Sequence, residues 1–555
     1  MAHAPDDERD PHRLSRRDFV GAALAIGALT TVRGRVDLSS SALLPHRAAP
    51  APISPFELEE LTLADLRAGL QSGRFTSRSI TEGYLARIEE VDPRLHSVIE
   101  TNPDALAIAD QLDEERASKG ERSPMHGIPV LVKDNIATAD RMMSTAGSLA
   151  LQGVTPPRDA FVVKQLRDAG AVILGKANLS EWANFRSSHS SSGWSARGGQ
   201  CRNPYALDRT PSGSSSGSAA ATAANLCPVA VGTETDGSIV SPSAACSLVG
   251  IKPTVGLVSR NGIVPIAHSQ DTAGPIGRTV SDAAILLSAM AGYDPHDPYT
   301  SAGRSHVVAD YIARLDPDAL RGARIGVPRP HYYGYSDATD ELMQNAIDVM
   351  KTQGAVIVDP APIATAGKFS EPEFQVLLYE FKTDLNLFLA SLGPSSPVRS
   401  LGDLIAFNEK NTEREMPYFG QDLLLEAQKK GSLRDPEYTK ALTACQTLSR
   451  AKGIDATMAK YKLDALVAPT HGPPWLIDLV NGDCANGGSS SLAAVSGYPS
   501  ITVPAGYVFG LPVGISFIGR SWSEESLIRF AYAYEQASKL RHPPALAPTV
   551  NLSAH

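Results

Sequence analysis

Short, wholly apolar runs keep following amphipathic helical stretches along this chain, and each run stops at a polar residue. "HGIPVLVKDNI" reads as a buried strand ending at a polar step, and "AFVVKQLRDAGAVILGKAN" as a helix, a glycine stop and a second buried strand. The unit returns in "TDELMQNAIDVMKTQGAVIVDPA", while "LDALVAPT" is a strand closed by a polar turn. "SITVPAGYVFGLPVGISFIG" supplies two strands punctuated by Gly and Pro, followed by the helix "SEESLIRFAYAYEQASKL". Strands apolar on both faces need cover on both faces, and the intervening helices provide it. The expected fold is α/β: a single large domain with a mixed, largely parallel central sheet covered by helices. At 555 residues, 43% of them hydrophobic, the chain can bury such a core.

Two stretches stand apart from this rhythm. Residues 55–119 are helical in period, with Thr62 and Thr81 or their neighbours offering N-cap oxygens. From about 370 to 452 the chain turns helical and charged, as in "LIAFNEKNTEREMPYFGQDLLLEAQ", and this insertion is a candidate cover for a cleft. The N-terminus carries an address: "RLSRRDFVGAALAIGALTTVRGR" sets Arg16 and Arg17 before a short apolar stretch, the pattern read by the twin-arginine export machinery. Residues 1–49 are therefore expected to be signal and linker, 50–545 the folded domain and 546–555 a tail, in a protein that is periplasmic or secreted. No run approaches the roughly 18 apolar residues of a membrane span, so none is expected in the mature protein. The net charge of −9 argues against nucleic acid as a partner.

Metal and thiol chemistry have little warrant. There is no CxxC and no HExxH, the five cysteines are too few for a disulfide scaffold, and "DPHDP" around His296 reads as a polar turn. No metal and no other cofactor is expected.

The segment "TPSGSSSGSAAATAANLCPVAVGTETDGSIVSP", residues 210–242, raises the chemical question. As a tether its Ser-Gly run is too short and leads straight into an Ala-rich helix. A phosphate loop would need Lys and Ser or Thr where Ser218 and Ala219 stand. "GSSSG" matches a nucleophile elbow with Ser215 as nucleophile and His268 or His471 downstream, although the loop-like "CRNPYALDRTPS" occupies the place of the required strand. A fourth reading uses the whole stretch. Ser238 follows Thr235, Asp236 and Gly237 in a turn after an apolar strand, where successive backbone N–H groups, including that of Ser238, converge as an oxyanion hole beside a nucleophilic hydroxyl. A base is offered by Lys133, at the end of a buried strand where desolvation favours the neutral amine, the alternative being a strand-end lysine paired with Asp134, which spacing alone favours. Lys176 in "GKANLSEW" is an equally placed rival. Asp134 and Glu234 are expected to orient the site or pair locally, and Trp182 and Trp194 to pack in the core.

These motifs together resemble the amidase signature family, and within it the bacterial peptide amidases. The resemblance runs from about 55 to 539 and is densest in "GIPVLVKDN", "GSSSGSAAA", "GTETDGSI" and "GIKPTVGLVSRNGIVPIAHSQDTAGPIGRTVSDAA". Two departures stand out: Ser212 and Ser216 replace glycines of the usual "GGSSGGS", and Glu234 and Asp236 alter the usual "GTDTGGS". The resemblance implies a catalytic unit of Lys133, Ser214 and Ser238, with Ser214 following a cis peptide bond. It implies an acyl-enzyme amidohydrolase acting on a small-molecule or peptide amide, the C-terminal amide of a peptide or amino-acid amide being the leading expectation. Aryl, fatty-acid and carbamate substrates are the alternatives. The tRNA-dependent amidotransferases share the family but not the export signal, and a non-catalytic periplasmic binding protein is the reading from another class.

Overall fold

The computed structural model describes residues 54–394 and 396–552; the twin-arginine stretch lies outside them. Eleven strands form one sheet. They are β1 (Val98–Thr101), β2 (Pro129–Lys133), β3 (Val172–Ala177), β4 (Val229–Glu234), β5 (Val249–Lys252), β6 (Thr272–Gly277), β7 (Arg324–Gly326), β8 (Val356–Val358), β9 (Ala465–Pro469), β10 (Ser500–Val508) and β11 (Leu511–Ile518). Their spatial order is β1-β3-β2-β4-β6-β5-β10-β11-β9-β7-β8. The sheet is mixed. Parallel pairings join β3, β2 and β4 on one flank and β9, β7 and β8 on the other, where helices make the crossovers. The middle runs antiparallel, as in the hairpin of β10 and β11 across Phe509 and Gly510. β2, β3, β4 and β11 are buried along their whole length, as their unbroken apolar runs require.

This topology collects one set of loops. β2, β3 and β4 run side by side, so the residues following Lys133, Ala177 and Glu234 emerge at one edge. β6 lies antiparallel to β4 and begins there, which brings Asp271 to the same place. Ligand sites of open α/β sheets form outside such carboxyl ends.

The helices start and stop where side-chain chemistry allows. Leu63–Ser72 begins at Thr62, which exchanges capping bonds with Asp65, and ends at left-handed Gly73. The next helix, Ser77–Val91, is capped by Thr76 with Ser79 rather than near Thr81. That capping box starts the helix earlier, and Thr81 falls inside it, its hydroxyl donating to Ser77 O at 2.7 Å. The stretch from 370 contains the helices Ser370–Ser391, Leu401–Lys410, Asp422–Lys429 and Pro436–Gln446. Leu385, Leu389, Leu401, Leu404 and Leu424 close around Leu151 and Phe185 from the sheet side. Each such leucine, fully buried, contributes about 2 kcal/mol, so these helices are firmly seated. Cys201, Cys227, Cys246 and Cys445 are buried and unbridged, and Cys484 is free and exposed. Among the described residues no helix is long and apolar enough to cross a membrane.

Candidate active site

The Ser-Gly run is not a tether, because its hydroxyls are tied down one by one. Ser216 Oγ donates to Ser212 O (2.6 Å) and Ser218 Oγ to Val231 O (3.1 Å). The helix Ser216–Ala223 begins at once and presses its first turn on the backbone of residues 97 and 178. A Cβ on Gly217 would lie 2.2 Å from Ser97 O, so only glycine fits. The peptide bond between Gly213 and Ser214 is cis.

Ser215, the elbow nucleophile of one sequence reading, is excluded by its partners. Its hydroxyl donates to Thr233 O at 3.1 Å and accepts from Thr233 N at 3.2 Å, within a wholly buried side chain. Neither histidine serves it. His471 has one ring nitrogen on Ser241 O and the other on Gly472 O, and His268 faces Asp384 and Glu380.

Lys133 and Ser214 do meet. Lys133 Nζ lies 2.7 Å from Ser214 Oγ, 2.9 Å from Thr233 Oγ1 and 3.3 Å from Thr233 O. Asn135 Nδ2 also donates to Thr233 Oγ1, at 3.0 Å. A neutral amine fits this set: two N–H groups go to the Thr233 oxygens, and the lone pair faces the Ser214 hydroxyl. Burial pulls the Lys133 amine down to about 7 from an ordinary 10.5, against the smaller pull of the Asp271 and Glu234 charges. Among the described residues Lys133 has no ion-pair partner within reach.

Lys176, the rival base, is placed elsewhere by register. It pairs across the strands with Val132 rather than with Lys133, and neighbouring residues of a strand face opposite sides of a sheet. Its ammonium reaches Ile136 O and Ser144 Oγ, both at 2.6 Å. Asp134 is held by Arg197 at 3.3 Å and by the Thr145 hydroxyl, the local pairing expected of it.

After β4 the chain makes a tight arch. Glu234 Oε2 reaches across it to accept from Ile239 N (2.7 Å) and Val240 N (3.0 Å). Gly237 has φ of +80°, which glycine alone adopts without strain. Three carbonyls of the arch are occupied: Thr235 O by Gln270, Gly237 O by Ser241 N, Ser238 O by Ser215 N at 3.2 Å. That last bond sets the Ser238 turn directly against the Ser214–Ser215 backbone. No acceptor among the described residues takes the N–H groups of Asp236, Gly237 or Ser238, which leaves them available to an incoming oxyanion. The Ser238 hydroxyl has no internal hydrogen bond among the described residues, and its residue keeps 8% exposure while Ser214 is fully enclosed.

Residues that carried no signal in the sequence complete the site. Thr233 steers the lysine, and Asp271 takes the Thr235 hydroxyl at 2.5 Å and the Ile266 and Ala267 N–H groups. Burial pushes the Asp271 carboxyl up to about 6. A cavity of about 450 Å³ opens beside Asn135, Thr233 and Thr235, with Ile263, Leu387 and Phe388 as an apolar wall. His296 borders it from a turn in which Asp297 pairs with Arg260. Trp182 and Trp194 are buried, Trp194 against Arg186 and Phe419, which accords with core packing.

Known proteins share this fold over most of the chain. The family model described as Amidase matches residues 79–528. A probable amidase of Arabidopsis thaliana is 46% identical over 500 residues, 88% of this chain and 92% of that protein. The native peptide amidase from Stenotrophomonas maltophilia superimposes with a TM-score of 0.84 at 52% identity, covering 89% of this chain and 100% of that one. An amidase family protein from Bacillus anthracis gives 0.80 at 39% identity, over 88% of this chain and 93% of that one. By that extent of match the chain belongs to the amidase signature family and is a hydrolase of amide C–N bonds.

Proposed function

We propose that the chain hydrolyses the C-terminal carboxamide of peptides or amino-acid amides, releasing ammonia through an acyl-enzyme on Ser238. The observation that carries this reading is the enclosed Lys133 amine at 2.7 Å from Ser214 Oγ. Neutral Lys133 takes the proton of Ser214, which takes that of Ser238 as the Ser238 oxygen attacks the carbonyl carbon. The tetrahedral oxyanion receives N–H donors of the arch from Thr235 to Ser238, each worth about 3 kcal/mol to the transition state. The proton returns through Ser214 to the departing nitrogen, the C–N bond breaks, and water repeats the sequence on the ester to give the acid. The likeness to solved peptide amidases, one described in complex with the competitive inhibitor chymostatin, supports a peptide-derived acyl group. Aryl, fatty-acid and carbamate compounds are the competing substrates. The test is ammonia release from peptide amides set against turnover of anilides, fatty-acid amides and carbamates; a higher kcat/KM for any of the latter would displace the peptide amide.

The same proposal includes export, on the strength of Arg16 and Arg17 before the apolar stretch. Replacing both with Lys should retain the protein in the cytoplasm of a host with a twin-arginine route; unchanged secretion removes this part of the proposal.

A further inference from the structure

Asp236, where the family's usual pattern has Gly, places a carboxylate inside the arch. One of its oxygens, Oδ2, accepts from Ser491 Oγ at 2.5 Å. The other, Oδ1, is fully buried and has no donor among the described residues. Another acid lies beside Asp236: Glu373, on the helix Ser370–Ser391 and 7% exposed, is within side-chain hydrogen-bonding reach of it. Glu373 Oε1 is already taken by Gln270 Nε2 at 2.9 Å, and that same amide group is 3.3 Å from Thr235 O. An unpaired buried carboxylate oxygen costs several kcal/mol, and two carboxylates at contact cannot both be ionised.

We propose that Glu373 is protonated and donates its O–H to Asp236 Oδ1, and that this carboxyl–carboxylate bond pins the arch from below the covering helix. Glu373 is then a positioning residue for hydrolysis. This rests on the reading of residues 235–238 as the oxyanion hole. Burial, then the Asp236 charge, hold the Glu373 carboxyl well above the ordinary range, in keeping with the assignment. The other titratable groups around the pair are Lys252, Glu234 and Tyr332 near Asp236, and Cys445 near Glu373. Of these only Lys252 is a base, and the charges of Glu234 and Glu524 act on it ahead of that of Asp236. When the shared proton leaves at alkaline pH, two buried anions repel, the arch shifts, and its N–H groups lose their aim at the transition state. The loss falls on kcat, with KM little changed.

The test uses the full protein and the variants Glu373→Gln and Glu373→Ala. Gln keeps an N–H donor for Asp236 Oδ1 that does not titrate; Ala removes the donor. The expected result is a kcat lower by about tenfold or more in E373A at unchanged KM, most of that activity recovered in E373Q, and an alkaline fall in wild-type kcat that E373Q lacks. The infrared difference between wild type and E373Q at neutral pH should contain a protonated-carboxyl band from Glu373, a readout independent of turnover and of the other buried acids Glu181 and Glu535. The proposal is overturned by the absence of that band from the difference spectrum, by wild-type kcat in E373A, or by the same alkaline fall in E373Q. Ser238→Ala, which deletes the nucleophilic hydroxyl and keeps the backbone N–H, separates the two levels: turnover in that variant removes Ser238 as nucleophile and with it the proposed function, whereas an inactive Ser238→Ala with equal E373A and E373Q removes only the shared proton.

Discussion

Replacing Lys133 with Met probes the buried amine through both stability and rate. The folded protein holds this amine at about 7, whereas the unfolded chain restores the ordinary 10.5. Between those values the unfolded state binds more protons, so stability rises with pH. At pH 7 the buried lysine destabilises the fold by about 4 kcal/mol relative to an uncharged side chain, and at pH 9 by about 2 kcal/mol. Met removes that term and gives up the contacts of Nζ with Ser214 and Thr233, about 1 kcal/mol each. K133M should therefore be more stable than wild type by about 2 kcal/mol at pH 7 and about equal at pH 9, measured by urea unfolding followed through tryptophan fluorescence. Its amide turnover should fall by about 10²- to 10⁴-fold. The wild type should lose kcat/KM about tenfold per pH unit below pH 7, because a protonated lysine accepts nothing from Ser214. Parallel stability–pH curves for the two proteins, or turnover retained by K133M, would refute a buried neutral base.

Further outcomes follow from single contacts. A fluorophosphonate should label Ser238, seen by peptide mapping; Ser215→Ala should keep that label while losing about 1–3 kcal/mol of stability, since Thr233 N–H loses its buried acceptor. Glu234→Ala strips the acceptor from Ile239 N and Val240 N, and should cost about 3 kcal/mol in unfolding free energy together with a fall in kcat. Phe388→Ala widens the cavity wall, and should raise kcat/KM for bulky acyl groups relative to small ones in a substrate panel.

Much of the frame is legible in the residues because its signals are local. Unbroken apolar runs mark the buried strands at Lys133, Lys176 and Glu234, and the amidase motifs point to the serines. Register is not legible. Lys133 and Lys176 both lie at the ends of buried strands, and only the offset that sets Lys176 opposite Val132 sends one to Ser214 and the other to Ile136 and Ser144. Long-range partners are equally silent: Asp271 meets Thr235 across 36 positions, and Glu373 meets Gln270 across 103. Thr76 as a helix cap is a different kind of difference from expectation, since its Thr-x-x-Ser spacing is local and competes with Thr81 only five positions on.

The division of labour along the chain has a consequence for how such an enzyme changes its diet. Lys133, Ser214 and Ser238 all come from the β2-to-arch portion, while Leu387 and Phe388, which shape the neighbouring hollow, come from the helix Ser370–Ser391. Where the hollow takes the acyl group, as proposed, trading residues on that helix alters what it accepts and leaves the proposed proton circuit untouched. Glu373 and Gln270 mark the boundary of that freedom, because there the exchangeable part touches the arch.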